Sequence, residues 1–312
     1  MKIGLDIMGG DFAPEATVLG AIEAQREFSD DIRLVLIGDT SKVEEILERE
    51  AIDASLFDLV HASEVIEMEE HPAKAFRKKQ DSSIAKGFDL LRKKEIQAFA
   101  SAGNSGAMLV GSMYTIRPVP GIIRPSITSV LPKNNGGVGV ILDVGINADC
   151  KPDVLYQFGI LGSLYAENVF GIKNPKVGLL NIGEEEGKGN LLSQAAYQVM
   201  KGSKDFNFTG NIEGRDLFSD AVDVVVCDGF TGNVVLKQAE AVYSIMAKKG
   251  SLDEYFSRFN YEIYGGTPIL GVNGNVLIGH GISSPKAIKN MLVLAKDVTE
   301  ANLASKIKEA FE

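Results

Sequence analysis

Lys188 stands between two glycines, Gly187 and Gly189, and Asn233 closes the run Thr231-Gly232-Asn233. Both lie where an apolar run gives way to a helical pattern, in KVGLLNIGEEEGKGNLLSQAAYQVM (Lys176 to Met200) and DVVVCDGFTGNVVLKQAEAV (Asp223 to Val242). Glycines at such a turn let the backbone approach a ligand, and a helix N-terminus offers N–H groups to an anion. An ammonium and a carboxamide set among them can neutralise or polarise what the backbone holds. The pair therefore predicts a site for a phosphate-like group. Each half also has a plainer reading. Glu184, Glu185, Glu186 and Lys188 can form a solvated charged turn, and Asn233 can cap the helix that follows.

Three further turns carry polar groups. AFASAGNSGA (Ala98 to Ala107) has the same strand-to-helix form, with small residues around Gly103, Asn104 and Ser105, and either binds an extended ligand or serves close helix–strand packing. DIMGGD places Asp6 and Asp11 beside a Gly-Gly turn, where they could hold a metal or cap a helix starting at Pro14. His280 lies between Gly279 and Gly281, open to acid–base work or to bonding a backbone carbonyl. Asp143-Val-Gly-Ile-Asn147 suits a ligand contact or a turn equally, and the basic helix Lys74–Lys79 is a solvated face or a dock for an acidic partner.

Several established fingerprints fail. Gly183-Glu-Glu-Glu-Gly187-Lys188-Gly189 has three residues between its first glycines where a P-loop has four, and glycine where that loop needs Ser or Thr. No G-x-G-x-x-G opens a helix after the first strand, and H-E-x-x-H, C-x-x-C and G-x-S-x-G are absent. A net charge of −10 argues against general nucleic-acid binding, which needs clustered Lys and Arg. Cys150 and Cys227 read as core thiols of a reducing compartment, and no apolar window is long enough to span a membrane.

These turns are positioned by strand-like runs alternating with helical patterns, which predicts a largely parallel sheet with helices on both faces, a three-layer α/β/α design. The predicted strands are Lys2–Ile7, Ile32–Ile37, Leu59–His61, Ala98–Ala100, Ser126–Leu131, Val138–Asp143, Lys176–Ile182, Phe206–Ile212, Val222–Cys227 and Asn275–Ile278. Helices are expected at Pro14–Phe28, Ser41–Glu50, Ser83–Lys94, Asn104–Ile116, Pro152–Val169, Leu191–Lys201, Asn233–Ala247 and Pro285–Phe311, with a short amphipathic piece at Leu252–Phe259. At 312 residues, one large domain or two joined lobes are both compatible with length, and the turn-rich Pro118–Pro125 is a candidate junction.

Taken in order, IGLDIMGGDFAP, HPAKAFRKKQDSS, SAGNSGAM, LDVGINADC, NIGEEEGKGN, CDGFTGNVVLK, YGG and GHGISS resemble the PlsX family, the acyl-carrier-protein:phosphate acyltransferases of bacterial phospholipid synthesis. The resemblance covers nearly the whole chain and implies a single domain over residues 1–312, with a fold like phosphotransacetylases and isopropylmalate dehydrogenases. It implies transfer of a long acyl chain from the carrier-protein thioester to inorganic phosphate, giving acyl phosphate, without a cofactor or resident metal. Lys188 and Asn233 fall on the family's catalytic positions. Gly103, Asn104, Ser105, Gly187, Gly189, Thr231, Gly232 and His280 are expected around the substrates. The implied partners are acyl carrier protein, a second copy in a homodimer, the membrane surface, and indirectly the membrane enzyme that passes acyl phosphate to glycerol 3-phosphate. The implied location is cytoplasmic with peripheral membrane attachment through a helical hairpin. Here that region, Ser244–Tyr261, is short, with Tyr255, Phe256 and Phe259 as its apolar anchors or, alternatively, as dimer or core contacts. A short-chain phosphotransacetylase using acyl-CoA is the alternative activity.

Overall fold

The computed structural model describes residues 1–312, which divide into two compact units, Met1–Pro118 with Tyr261–Ala304 and Val119–Asn260 with Ser305–Glu312. The first boundary falls in the proline-rich stretch singled out from the sequence.

Unit 1 holds strands β1 (Lys2–Asp6), β2 (Arg33–Gly38), β3 (Asp58–His61) and β4 (Ala98–Ser101). Unit 2 holds β5 (Ser126–Pro132), β6 (Val138–Leu142), β7 (Lys176–Leu180), β8 (Asn207–Ile212) and β9 (Val224–Val226). The chain then returns to unit 1 with β10 (Gly266–Leu270) and β11 (Asn275–Gly279). Within unit 1 the strand order is β3-β2-β1-β4-β11-β10, parallel except for the antiparallel pair β10–β11. Within unit 2 it is β5-β6-β9-β7-β8, parallel except for β5–β6. Strands buried on both faces must be apolar throughout, which is why RLVLIG, VGVIL and VVV read as continuous runs and not as alternations.

The helices of unit 1 are α1 (Glu15–Glu27), α2 (Thr40–Arg49), α3 (Pro72–Lys78), α4 (Ser83–Arg92), α5 (Ser105–Gly111) and, after the return, α10 (Pro285–Glu300). Unit 2 carries α6 (Pro152–Phe170), α7 (Leu191–Met200), α8 (Gly229–Lys248) and α9 (Glu254–Ser257). A last helix, α11 (Leu303–Ala310), ends the chain. The expected unbroken helix Pro285–Phe311 is interrupted at Asn302, which adopts a left-handed φ of 52°. The expected helix Asn104–Ile116 changes at Ser112 into a π-helical turn that ends on Arg117. Strand β10 lies outside the sequence expectations, because glycine and proline in GTPIL weaken a strand signal that tertiary pairing with β11 supplies.

No helix is long and apolar enough to cross a membrane. Tyr255, Phe256 and Phe259 pack on one another, and Phe259 meets Phe218 with ring centroids 5.2 Å apart. All three side chains are half-buried, packed on one another at the surface of unit 2.

Candidate active site

In unit 2 the parallel strands β6, β9, β7 and β8 end at one edge of the sheet, so the segments 143–147, 181–189 and 227–233 emerge side by side. Open α/β sheets bind ligands at this edge.

The Lys188 turn is held by carboxamides. Asn181 Nδ2 donates to the Lys188 carbonyl at 3.1 Å, and Gln194 Nε2 donates to the carbonyls of Gly187 and Gly189 at 3.1 and 3.0 Å. Asn211 Nδ2 donates to the Glu185 carbonyl at 2.9 Å, where the Lys188 N–H also bonds. Gly189 has φ +91°, and a Cβ there would lie 2.2 Å from Asn181 Oδ1, so glycine is required on both counts. The acidic run is neutralised piecewise. Glu186 pairs with Lys201 at 2.9 Å and Glu184 with Arg215 at 3.3 Å. Lys188 is left half exposed, its Nζ approaching only Glu185 at 4.0 Å. Its backbone is fixed while its ammonium stays available.

The second turn is built differently. Helix α8 begins at Gly229, four residues before the expected start, because the Asp228 carboxylate caps it by accepting from the Thr231 N–H and hydroxyl. Asn233 is therefore not the cap. It lies within the helix and donates through Nδ2 to the Val144 carbonyl at 3.2 Å. Gly232 allows this approach, since a Cβ would fall 1.9 Å from the Asp143 carbonyl oxygen. Asp143 organises the neighbouring turn. Its Oδ1 accepts from the N–H groups of Val144 and Ile127 at 2.9 and 3.0 Å, and Oδ2 from Ile146 and Asn147 N–H at 3.1 and 2.6 Å and from Asn147 Nδ2 at 3.0 Å. Burial raises its pKa above the usual carboxylate range, and those donors oppose the rise. The aspartate thus ties the 143–147 turn to the start of β5, where Ser126 Oγ also donates to Oδ1 at 3.5 Å.

Of the two thiols in or just after these segments only Cys227 is in the core, while Cys150, also expected there, is half-buried. Cys227 is buried with its thiol pushed well up, chiefly by burial. Cys150 is pushed up to about 11 by burial and by the charges of Asp143 and Asp228. Both are protonated at neutral pH, so neither is poised as a nucleophile.

The remaining expected residues belong to unit 1. Asn104 is buried and caps α5 by accepting from the Ala107 N–H at 3.0 Å. Its Nδ2 donates to the carbonyls of Glu67, Met68 and Glu70 at 2.9, 3.3 and 3.1 Å. Gly103 packs so closely on Gly9 that a Cβ on it would meet Gly9 Cα at 3.1 Å. Asp6 accepts from Ser101 Oγ at 2.7 Å and Met8 N–H at 3.0 Å, and burial raises its pKa. Neither acid caps α1, whose start has no side-chain cap, and no cluster of three or more His, Cys, Asp or Glu suited to a metal occurs in the chain. Ser105 and His280 are exposed, the latter with its ring 5.3 Å from that of Tyr261. The sequence reading thus found Lys188 and Asn233 but missed Asn181, Gln194, Asn211 and Asp228. Only Asp228, one residue before a glycine-rich helix start, carried a local signal for its role.

The fold is that of the phosphotransacetylase class. A phosphotransacetylase from Streptococcus pyogenes superposes with a TM-score of 0.65 at 16% identity over 96% of this chain and 94% of its own. The 4-hydroxythreonine-4-phosphate dehydrogenase of Klebsiella pneumoniae follows at 0.57, with 13% identity over 96% and 98%. At the level of sequence, the family described as "Fatty acid synthesis protein" matches residues 1–306. "Phosphate acyltransferase" of Dictyoglomus turgidum is 44% identical over 99% of this chain and 97% of its own length, and that of Pelotomaculum thermopropionicum 46% over 100% and 95%. The chain belongs to this phosphate acyltransferase family of fatty acid synthesis and is an acyltransferase. The second alignment runs over 331 positions against 312 residues here, so that relative carries segments this chain lacks.

Proposed function

We propose that the protein transfers a long-chain acyl group from an acyl-carrier-protein thioester to inorganic phosphate, releasing acyl phosphate and the free carrier protein. A phosphate oxygen attacks the thioester carbonyl carbon, the carbonyl oxygen takes the negative charge, and the C–S bond breaks as the carbonyl reforms. The carrier thiolate leaves and is protonated from solvent. Phosphate is itself the nucleophile, so the protein's task is to align it and to stabilise developing charge. Lys188 neutralises the phosphate or the oxyanion. Asn233 donates to the same centre the Nδ2 hydrogen that Val144 does not engage, and backbone N–H groups around Gly187, Gly189, Thr231 and Gly232 complete the cradle. The observation that carries this reading is the Lys188 turn, in which Asn181, Gln194 and Asn211 bind the backbone carbonyls and leave the ammonium half exposed.

The proposal extends to a homodimer attached peripherally to the cytoplasmic membrane face, where a membrane enzyme consumes the acyl phosphate. The substrate contacts expected of Gly103, Asn104, Ser105 and His280 form no part of this proposal, and the Asn104 side chain is engaged within its own unit.

The test is incubation with palmitoyl carrier protein and phosphate, with product trapped as the hydroxamate. Phosphate-dependent hydroxamate that drops about 100- to 1000-fold in Lys188→Ala is the expected outcome, the usual effect of removing one charge-stabilising donor. Folded wild-type protein that yields product only from short-chain acyl-CoA would replace this reading with the phosphotransacetylase one.

A further inference from the structure

Beyond Asn233, the face of α8 formed by Val234, Val235, Gln238, Ala239 and Val242 borders a cavity of about 570 Å³. That lies within the roughly 300–1,000 Å³ of small-molecule sites. Its floor is Leu217, Phe218 and Val235, which belong to or pack on the apolar core of unit 2. Its far wall is the segment carrying Tyr255, Phe256 and Phe259. That segment is fixed in place: Tyr255 Oη donates to the Pro132 carbonyl at 3.2 Å, and Arg258 donates to the carbonyls of Lys133 and Gly137 at 3.1 and 2.5 Å.

Lys188 and Asn233 do not themselves line this groove, but a residue next to Asn233 and one paired with the Lys188 turn do. Val234 follows Asn233 directly, and Arg215, also in the lining, pairs with Glu184 of the Lys188 turn. Val234 to Tyr243 then extend the lining along α8 for about 13 Å, at 1.5 Å per residue. The lining is mostly apolar and elongated, which suits an apolar, elongated occupant, and its near end lies one residue from Asn233. Val234 and Val242 remain 54% and 40% exposed beside it, which is apolar surface awaiting cover.

We infer that this groove binds the acyl chain of the donor and sets its preferred length. The inference rests on the acyl-transfer reading above and adds to it where the chain lies. Each methylene withdrawn from water strengthens binding about four-fold, so blocking the groove acts on long donors and not on short ones.

The experiment compares hexadecanoyl and butanoyl donors in wild type, Ala239→Trp and Val242→Phe, and in parallel photolabels each protein with a sixteen-carbon fatty acid bearing a terminal diazirine. The ratio of long- to short-chain rates should fall about ten-fold or more in the filled variants, equivalent to two methylenes kept in water. Label should map to peptides containing Phe218 or Phe259 and be lost from the variants. An unchanged ratio with label elsewhere overturns the groove while leaving acyl transfer standing. If no donor turns over, the acyl-transfer reading falls and labelling alone decides the groove. Two results identify another occupant and overturn the inference: dissociation of a dimer by Ala239→Trp at an unchanged ratio, which means a second copy, and loss of flotation with phosphatidylglycerol vesicles at an unchanged ratio, which means a lipid surface.

Discussion

The glycine-rich turns after β4 in unit 1 and after β7 in unit 2 look alike in sequence and are opposites in structure. After β4, Asn104 is buried and bonds one N–H and three carbonyls, so its polar capacity is used up in holding the 67–70 segment and α5 together. After β7, three carboxamides bind the backbone of the turn from outside, and the charged side chain within it faces solvent. A polar residue among glycines is therefore not enough to mark a ligand site. What separates the two turns is whether their own fold consumes that residue's hydrogen bonds.

The largest expected effects split along this line. Lys188→Ala should lose about 100- to 1000-fold in acyl-transfer rate with an unchanged urea midpoint, because an exposed side chain with one distant ionic neighbour holds nothing together. Asn104→Ala should instead lose about 3 kcal/mol of unfolding free energy, since the carbonyls of Glu67, Met68 and Glu70 lose a buried donor and α5 loses its cap. Urea curves and rates on both variants test the comparison together. A rate defect in a normally stable Asn104→Ala would erase the distinction between the turns.

Much of this was readable in advance, for identifiable reasons. Strands such as Ile32–Ile37 and Val138–Asp143 matched to within a residue or so at each end, because strands buried on both faces need apolar residues throughout and turns need glycine. Helix α8 was placed late because GFTG is a poor helix-forming sequence. Its first turn exists through the Asp228 cap and the approach of Gly232 to the Asp143 carbonyl, a contact between segments distant in sequence. The carboxamide support of the Lys188 turn was invisible for the same reason. Asn181, Gln194 and Asn211 come from β7's end, α7 and β8, and only strand order brings them to one loop.

That support gives a sharper and smaller test. Gln194→Ala frees the carbonyls of Gly187 and Gly189 in a half-exposed setting, so it should cost about 1 kcal/mol of stability. It should also cost about ten-fold in rate, since misplacing a charge-stabilising group by a fraction of an ångström weakens its action. The proportion matters more than either number. A loss of rate exceeding the loss of stability marks a positioning residue, and Gln194→Glu, which keeps an acceptor but loses the donor amide, should not restore it.

The smallest effect concerns the two thiols of unit 2, and its sign follows from their protonation. Both folded-state pKa values are raised, to about 11 for Cys150 and well above the usual thiol value for Cys227, whereas an unfolded cysteine ionises near 8.5. Their contribution to stability is thus fully present below pH 8.5 and is lost as pH rises toward the folded values, with a limiting slope of about 1.4 kcal/mol per pH unit for each thiol. Between pH 8 and 9 this amounts to about 0.7 kcal/mol per thiol, measurable as the difference in urea stability between wild type and Cys227→Ala across that interval. In the folded protein neither thiol should react with iodoacetamide at pH 7.5, and Cys227→Ser should retain activity. Loss of turnover in Cys227→Ser at an unchanged urea midpoint would mean that the thiol takes part in the reaction, and direct attack by phosphate would have to be abandoned.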